Sequence, residues 1–260
     1  MTEEMEMDRQ ARPKVAVFKL GSCGGCIVQI VNLGEKVLEV LKNFDIAYFP
    51  IVKSNNVEGP YDVCLVEGSV STPEDVVRIK EIRKNCKILV ALGSCACFGG
   101  LQSIGNWARH RELEGAAYKE PLAVRSIKAL GIDEYVQVDV YLKGCPVAEE
   151  ELLELLKAFS AGIRPYLRPH SVCVECKLRE IPCIMETKKI PCMGPVTCAG
   201  CGAICPSMGK PCEGCRGPSN DANLASLIEA FSELGLSRYE ILNKLRKYAG
   251  EAFREVSELL

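Results

Sequence analysis

The stretch KVAVFKLGSCGGCIVQIVNL, residues 14–33, sets the reading of the fold. A Val-rich run over 14–20 stops at Gly21 and Ser22. Apolar residues then recur at helical spacing through Ile27, Ile30, Val31, Val37, Leu38 and Leu41. Further strand-like runs follow: IAYFPIV (46–52), YDVCLVEG (61–68), KILVALG (87–93) and VQVDVYLKG (136–144). Between them, Pro73 opens TPEDVVRIKEIRK as a helix, since proline is accepted in a first turn. Pro121 opens PLAVRSIKAL, and AEEELLELLKAFSAG reads as a last helix. The strands are almost continuously apolar, which requires helices on both faces of a parallel sheet. They are too few for an eight-stranded barrel. The expected fold class is therefore α/β, an open doubly wound sheet.

The chain has 260 residues, 48% of them hydrophobic and 25% charged, enough to close a core and still face water. Its 34 acidic and 32 basic side chains leave a formal charge of -2, so nothing points to a nucleic-acid partner bound by strong positive charge. No apolar run approaches the roughly 20 residues that cross a bilayer, and direct membrane insertion is not expected. The start MTEEMEMDRQARPKVAVF has no charged leader followed by an apolar stretch, which points to a cytoplasmic protein.

Sixteen cysteines stand against two histidines, and nine of them fall between Cys173 and Cys215. A disulfide scaffold is a poor explanation, because a large domain is stabilised by its own core. Zinc is a stronger one: Cys201, Cys212 and Cys215, with Cys198 or Cys205, have the spacing of a tetrahedral site. Iron-sulfur clusters use the same thiolates, so spacing alone leaves both open. The supply of thiols from both halves of the chain favours iron-sulfur. Cys23 and Cys26 follow the first strand, Cys95 and Cys97 the strand 87–93, and Cys145 the strand that ends near 142. Ligands of open parallel sheets bind at that carboxyl edge, where Cys23, Cys26, Cys145 and one of Cys95 or Cys97 would converge. Cys64 and Cys86 read as small buried thiols. The glycines of LGSCGGC lack the endings and spacing of the nucleotide-binding loops.

From Gly162 to Asn220 prolines and glycines interrupt the chain too often for long helices, so bound inorganic groups would have to organise it. Cys198, Cys201, Cys205 and Pro206 match part of the ferredoxin run C-x2-C-x2-C-x3-C-P, but Pro195 stands where that run would begin. LASLIEAFSELG and RYEILNKLRKYAGEAFREVSELL read as two amphipathic helices that pack back onto the chain through Leu224, Leu227, Ile228, Phe231, Ile241, Leu242 and Leu245.

Seven strings, in order, resemble one family: LGSCGGC (20–26), LVEGSV (65–70), ALGSCACFGG (91–100), KGCPV (143–147), CMGP (192–195), AGCGAICP (199–206) and PCEGCRGP (211–218). They resemble the small, electron-transferring subunit of nickel-iron hydrogenases. The likeness runs over nearly the full length and points to the methanogen-type members, the gamma subunit of coenzyme F420-reducing hydrogenase and the small subunit of its viologen-reducing relative. The resemblance implies a flavodoxin-like domain over 13–162, after an extension over 1–12, and a second domain over 163–260 with the C-terminal helices. It implies three [4Fe-4S] clusters: a proximal one on Cys23, Cys26, Cys95 and Cys145, a distal one on Cys173, Cys176, Cys183 and Cys192, and a medial one on Cys201, Cys205, Cys212 and Cys215. Cys64, Cys86, Cys97 and Cys198 are left over, and Cys198 is the rival of Cys201.

No catalytic residue is expected on this chain. The resemblance puts the nickel-iron centre, FAD and F420 on partner subunits. The implied partners are the hydrogenase large subunit and an acceptor, either a flavin-containing F420-reducing subunit or an iron-sulfur linker to a disulfide-reducing complex. Glu67, at a strand end, is either a solvent-facing carboxylate or a neighbour of the proximal cluster. Arg109 and His110 either face the partner or belong to a plain surface loop.

Overall fold

A computed structural model describes residues 12–35, 42–120 and 125–255. The expected N-terminal extension up to residue 11, the helical positions Val37, Leu38 and Leu41, Pro121 and the last five residues lie outside them, as does the side chain of His110. Five strands form one parallel sheet: β1 (Lys14–Lys19), β2 (Asp45–Tyr48), β3 (Tyr61–Glu67), β4 (Cys86–Leu92) and β5 (Val140–Leu142), in the order β2-β1-β3-β4-β5. The described helices are α1 (Gly25–Asn32), α2 (Pro73–Lys84), α3 (Gly93–Phe98), α4 (His110–Ala117), α5 (Glu149–Ser160), α6 (Val172–Leu178), α7 (Ile184–Lys188), α8 (Ile204–Ser207), α9 (Leu224–Glu233) and α10 (Arg238–Ala249). This is the expected doubly wound α/β sheet, with the strand order of the flavodoxin-like class.

Register decides where the loops leave. Lys19 lies beside Glu67, Glu67 beside Leu92, and Leu92 beside Leu142, so four strands finish level with one another. Alternate strand residues bury on opposite faces. Val15, Val17, Val63, Leu65, Val90, Leu92 and Leu142 pack with Ile27 and Ile30 of α1 and Leu152, Leu155 and Leu156 of α5. Ala16, Phe18, Cys64, Val66, Leu89 and Ala91 pack with Ile79 and Ile82 of α2. Burial on both sides explains why the strands read as apolar throughout. Thr72 starts α2 with a capping box: its hydroxyl accepts from the Asp75 amide at 3.1 Å, and the Asp75 carboxylate accepts from the Thr72 amide at 3.0 Å.

Several elements are shorter than the sequence suggests. β2 ends at Tyr48, where the Val52 and Lys53 amides both turn back to the Phe49 carbonyl. β5 starts only at Val140, because the carboxylate of Asp139 is held by the Leu89 amide at 2.7 Å and by Arg83 at 2.5 Å. Residues 125–129 form no helix, and Leu130 bridges antiparallel to Val70. Conversely, the stretch around IGNWARHRE is not a plain loop. A 3-10 helix (Gly100–Trp107) precedes α4.

After α5, thirteen buried residues build a third apolar cluster. Val172, Ile184, Met193 and Val196 lie under Leu227 and Phe231 of α9 and Ile241 and Leu245 of α10, as the apolar stripes of those helices required. Phe98 joins this cluster to the sheet's own core. The Arg246 guanidinium of α10 stacks 3.8 Å from the centre of the Trp107 ring.

Candidate metal centre

At the carboxyl edge of the sheet, Cys26 opens α1, Cys95 sits in α3, and Cys23 and Cys145 occupy the loops after β1 and β5. Cys26 has Glu67, Cys95 and Cys145 as electrostatic neighbours, Cys95 has Cys23, and Cys145 has Cys95 and Cys23. Three chain segments thus bring these thiols into one neighbourhood. Burial pushes the Cys26 thiol up to about 12, against an opposing backbone amide at Val147, and the Cys145 thiol up to about 11. Buried thiols held this high need a cation to become thiolate ligands.

Two glycines clear the space at the sulfurs. A Cβ on Gly93 would stand 2.4 Å from Cys26 Sγ, and one on Gly100 would stand 2.6 Å from Cys95 Sγ. Both residues also have positive φ, 82° and 64°, a conformation open to glycine. Glu67 resolves in favour of the site. Only 1% exposed, its carboxylate accepts from the amides of Cys26 (3.1 Å) and Ile27 (3.4 Å) in the first turn of α1. Burial drives its carboxyl upward, while those amides oppose the shift.

A second thiol group lies in the C-terminal segment. Cys173 and Cys176 are carried by α6, Cys183 precedes α7, and Cys192 follows it. The neighbours of Cys173 are Cys192, Cys176 and Cys183, and those of Cys176 include Cys192 and Cys183. Gly194 lies between two of them: its Cβ would be 3.4 Å from Cys192 Sγ and 3.5 Å from Cys173 Sγ. Cys192 Sγ also accepts the Cys212 amide at 3.1 Å.

A third group lines a cavity. Cys201, Cys205, Cys212 and Cys215 all face a space of about 460 Å³, with Cys145 in its wall. Backbone amides of Ala203 and Ile204 oppose the upward push of burial at Cys201, the Gly214 amide does so at Cys212, and the Cys145 amide at Cys215. Amides aimed at ligand sulfurs tune an iron-sulfur centre. The Ser94 hydroxyl donates to the Cys215 carbonyl, a second tie between the sheet edge and this segment.

The remaining thiols have other partners. Cys198 Sγ donates to the Arg168 carbonyl at 3.2 Å. Cys97 is buried, with Ala91 and Leu142 carbonyls 3.6 and 3.9 Å from its sulfur. Cys86 donates to the Ile88 carbonyl at 2.9 Å and lies beside Cys64. Among the described residues, no three His, Cys, Asp or Glu side chains draw together closely enough for a single metal ion.

Sequence reading missed the polar supports. Glu175 of α6 is buried and accepts from the amides of Gly200 (2.8 Å) and Ala203 (3.0 Å), framing Cys201. Arg216, next to Cys215, donates to the carbonyls of Cys198 (3.0 Å), Ala199 (2.9 Å) and Lys143 (2.7 Å), and to Glu151 Oε2 of α5 at 2.5 Å. The only sequence signal was a lone Arg in CRGP and one of three consecutive glutamates at an acidic helix start.

Residues 23–159 match the family model described as the NADH ubiquinone oxidoreductase, 20 Kd subunit. The chain is 39% identical over 238 residues to the sulfhydrogenase 2 subunit delta of Pyrococcus furiosus, covering 91% of this chain and 99% of that one. It is 32% identical over 258 residues to a vhu subunit of the F420-non-reducing hydrogenase of Methanocaldococcus jannaschii, covering 86% and 90%. The chain belongs to the hydrogenase small-subunit family. The matched family model ends before Cys173, but the likeness to these hydrogenase small subunits continues into the cysteine-rich segment. The fold agrees: the nickel-iron-selenium hydrogenase of Desulfomicrobium baculatum superposes with a TM-score of 0.56 at 15% identity, over 81% of this chain and 96% of the other. No helix among the described residues of this small subunit is long and apolar enough to cross a membrane.

Proposed function

We propose that this chain is the electron relay of a cytoplasmic nickel-iron hydrogenase and that it holds three [4Fe-4S] clusters. Cys23, Cys26, Cys95 and Cys145 would hold the proximal cluster, Cys201, Cys205, Cys212 and Cys215 the medial one, and Cys173, Cys176, Cys183 and Cys192 the distal one. The observation that carries this reading is the cavity lined by four thiols, with Cys145 of the sheet edge in the same wall. When bound, such clusters accept and release single electrons. The chain's own part is to fix the stations and adjust them. Glycines keep the sulfurs accessible, amides face them, and the Cys145 amide beside Cys215 and the Ser94–Cys215 contact hold two stations together.

The hydrogen-activating nickel-iron centre belongs, in this reading, to a large partner subunit. That subunit would cover the proximal edge, where Cys23 is exposed. FAD or F420, if used, would be held by the acceptor, which is either a flavin-containing F420-reducing subunit or an iron-sulfur linker to a disulfide-reducing complex. The boundary near 162 between sheet domain and cluster domain is part of the same proposal.

Anaerobic isolation with partners attached tests it. About 12 iron and 12 acid-labile sulfide per chain are expected for three four-iron clusters, with nickel on a copurified subunit. Zinc in place of iron, or iron without sulfide, would overturn the reading.

A further inference from the structure

Helix α6 carries two thiols of one group and grips the loop that carries a thiol of another. Between Cys173 and Cys176 stands Glu175, only 9% exposed. Its two carboxylate oxygens accept from the amides of Gly200 (2.8 Å) and Ala203 (3.0 Å), on either side of Cys201, and Oε2 lies 3.9 Å from Cys201 Sγ. One turn further on, Arg179 donates to the Gly202 carbonyl of the same loop. The loop needs such a grip. Gly200, Gly202 and Ala203 all have positive φ, 121°, 64° and 51°, and at Ala203 a side chain makes that backbone unfavourable unless outside contacts hold it. Glu175 also reaches both thiol groups electrostatically. Burial pushes the Cys201 and Cys176 thiols up; Glu175 adds to that push at each, and Arg216 opposes it at Cys201. Arg168 senses the same carboxylate, but its ion pairs are with Glu151 and Glu154.

We propose that Glu175 is a positioning residue that fixes Cys201 and, through its charge, holds the potential of the medial station low. The inference rests on the relay reading above and deepens it by assigning the residue that sets one station against its neighbours. A fixed negative charge disfavours an added electron, so the carboxylate destabilises the reduced form of the station beside it. The effect is largest at the medial station, whose proposed ligand Cys201 it touches, and smaller at the distal one. It is smallest at the proximal station, whose thiols have Glu67 as their carboxylate neighbour. A carboxylate suits both duties: it offers an acceptor to each of two amides, which a neutral side-chain amide with a single acceptor oxygen does not. Each station takes up one electron and passes on one. Glu175 is neither oxidised nor reduced; it changes the free energy of the step and keeps the middle station from becoming a sink.

The test uses the anaerobically isolated complex with Glu175→Gln and Glu175→Asp. Reductive titration with dithionite and mediator dyes, followed by electron paramagnetic resonance, gives the midpoint of each station, and Cys201→Ser marks the medial signal. Glu175→Gln should keep about 12 iron per chain. At a fixed potential it should raise the reduced-to-oxidised ratio of the medial station at least tenfold, about 59 mV for a one-electron couple. The distal ratio should rise less, and the proximal ratio should stay within about twofold. Glu175→Asp retains the charge and should bring the medial ratio back to within about threefold of wild type. An unchanged medial midpoint in Glu175→Gln overturns the proposal, as does an equal shift of all three stations or an equal shift in both variants. If Glu175→Gln loses iron, Glu175→Asp decides: a medial midpoint like that of wild type supports the proposal, and a shift as large as about tenfold in ratio overturns it. Loss of the medial cluster from both variants also overturns it, reducing Glu175 to a structural support. A wild-type complex without acid-labile sulfide removes the relay reading itself; three clusters with a medial midpoint indifferent to Glu175 remove this inference alone.

Discussion

Arg216→Met should be among the most destabilising single changes in this chain. The arginine and its partner Glu151 are 3% and 1% exposed, and the guanidinium binds three carbonyls besides the carboxylate. Methionine retains much of the apolar stem but leaves Glu151 buried, with Arg168 Nη1, 3.5 Å from Oε1, as its remaining cation. Removing one partner of a buried pair costs about 3–5 kcal/mol, and the carbonyls left without a donor add to it incompletely. Arg168 offsets part, so about 4 kcal/mol is expected for the single variant. That corresponds to a melting temperature lower by about 8–16 °C for a chain of this size. Pairing it with Glu151→Leu removes the stranded charge and should recover about half of the loss. Scanning calorimetry of the anaerobic complex reads all four corners of the cycle. A single variant melting within about 3 °C of wild type, or a double variant melting below the single, would refute the role assigned to the pair.

Cys201→Ser should lose about 4 iron per chain while Cys198→Ser keeps the full complement; iron analysis with electron paramagnetic resonance distinguishes them, and loss only in Cys198→Ser reverses the assignment. Gly93→Ala places a methyl group 2.4 Å from Cys26 Sγ and forces an alanine to φ 82°, so the proximal signal should be lost or strongly altered while the other two persist. Phe231→Ala empties a fully buried site beneath α9 and α10 and should cost about 3–5 kcal/mol, read as an earlier urea midpoint with an unchanged slope.

The sheet was legible because burial on both faces leaves a simple mark: strands such as 61–67 and 87–92 are apolar at nearly every position, and each is followed by a turn. Strand ends were less legible. Asp139 looks like an ordinary strand residue, yet its carboxylate is occupied by Leu89 and Arg83 and delays β5. The thiols themselves were visible by type and by place after the strands, and the structure brings Cys23, Cys26, Cys95 and Cys145 into one neighbourhood. What supports them was hidden. Glu67, Glu175 and the Arg216–Glu151 pair act across gaps of tens of residues, and no local periodicity marks a buried charge whose partner lies on another element. Glu67 was half-read from its strand end; only its hydrogen bonds to the start of α1 place it inside.

The tie between Ser94 and Cys215 spans 121 positions, and the amide that faces Cys215 belongs to Cys145. During synthesis the earlier loops are therefore finished long before their counterpart leaves the ribosome. Until it arrives, one wall of the thiol-lined cavity is missing. Under the proposed relay, loading of the middle station would be a late event in maturation, and a nascent chain truncated before residue 215 would offer an open half-vessel.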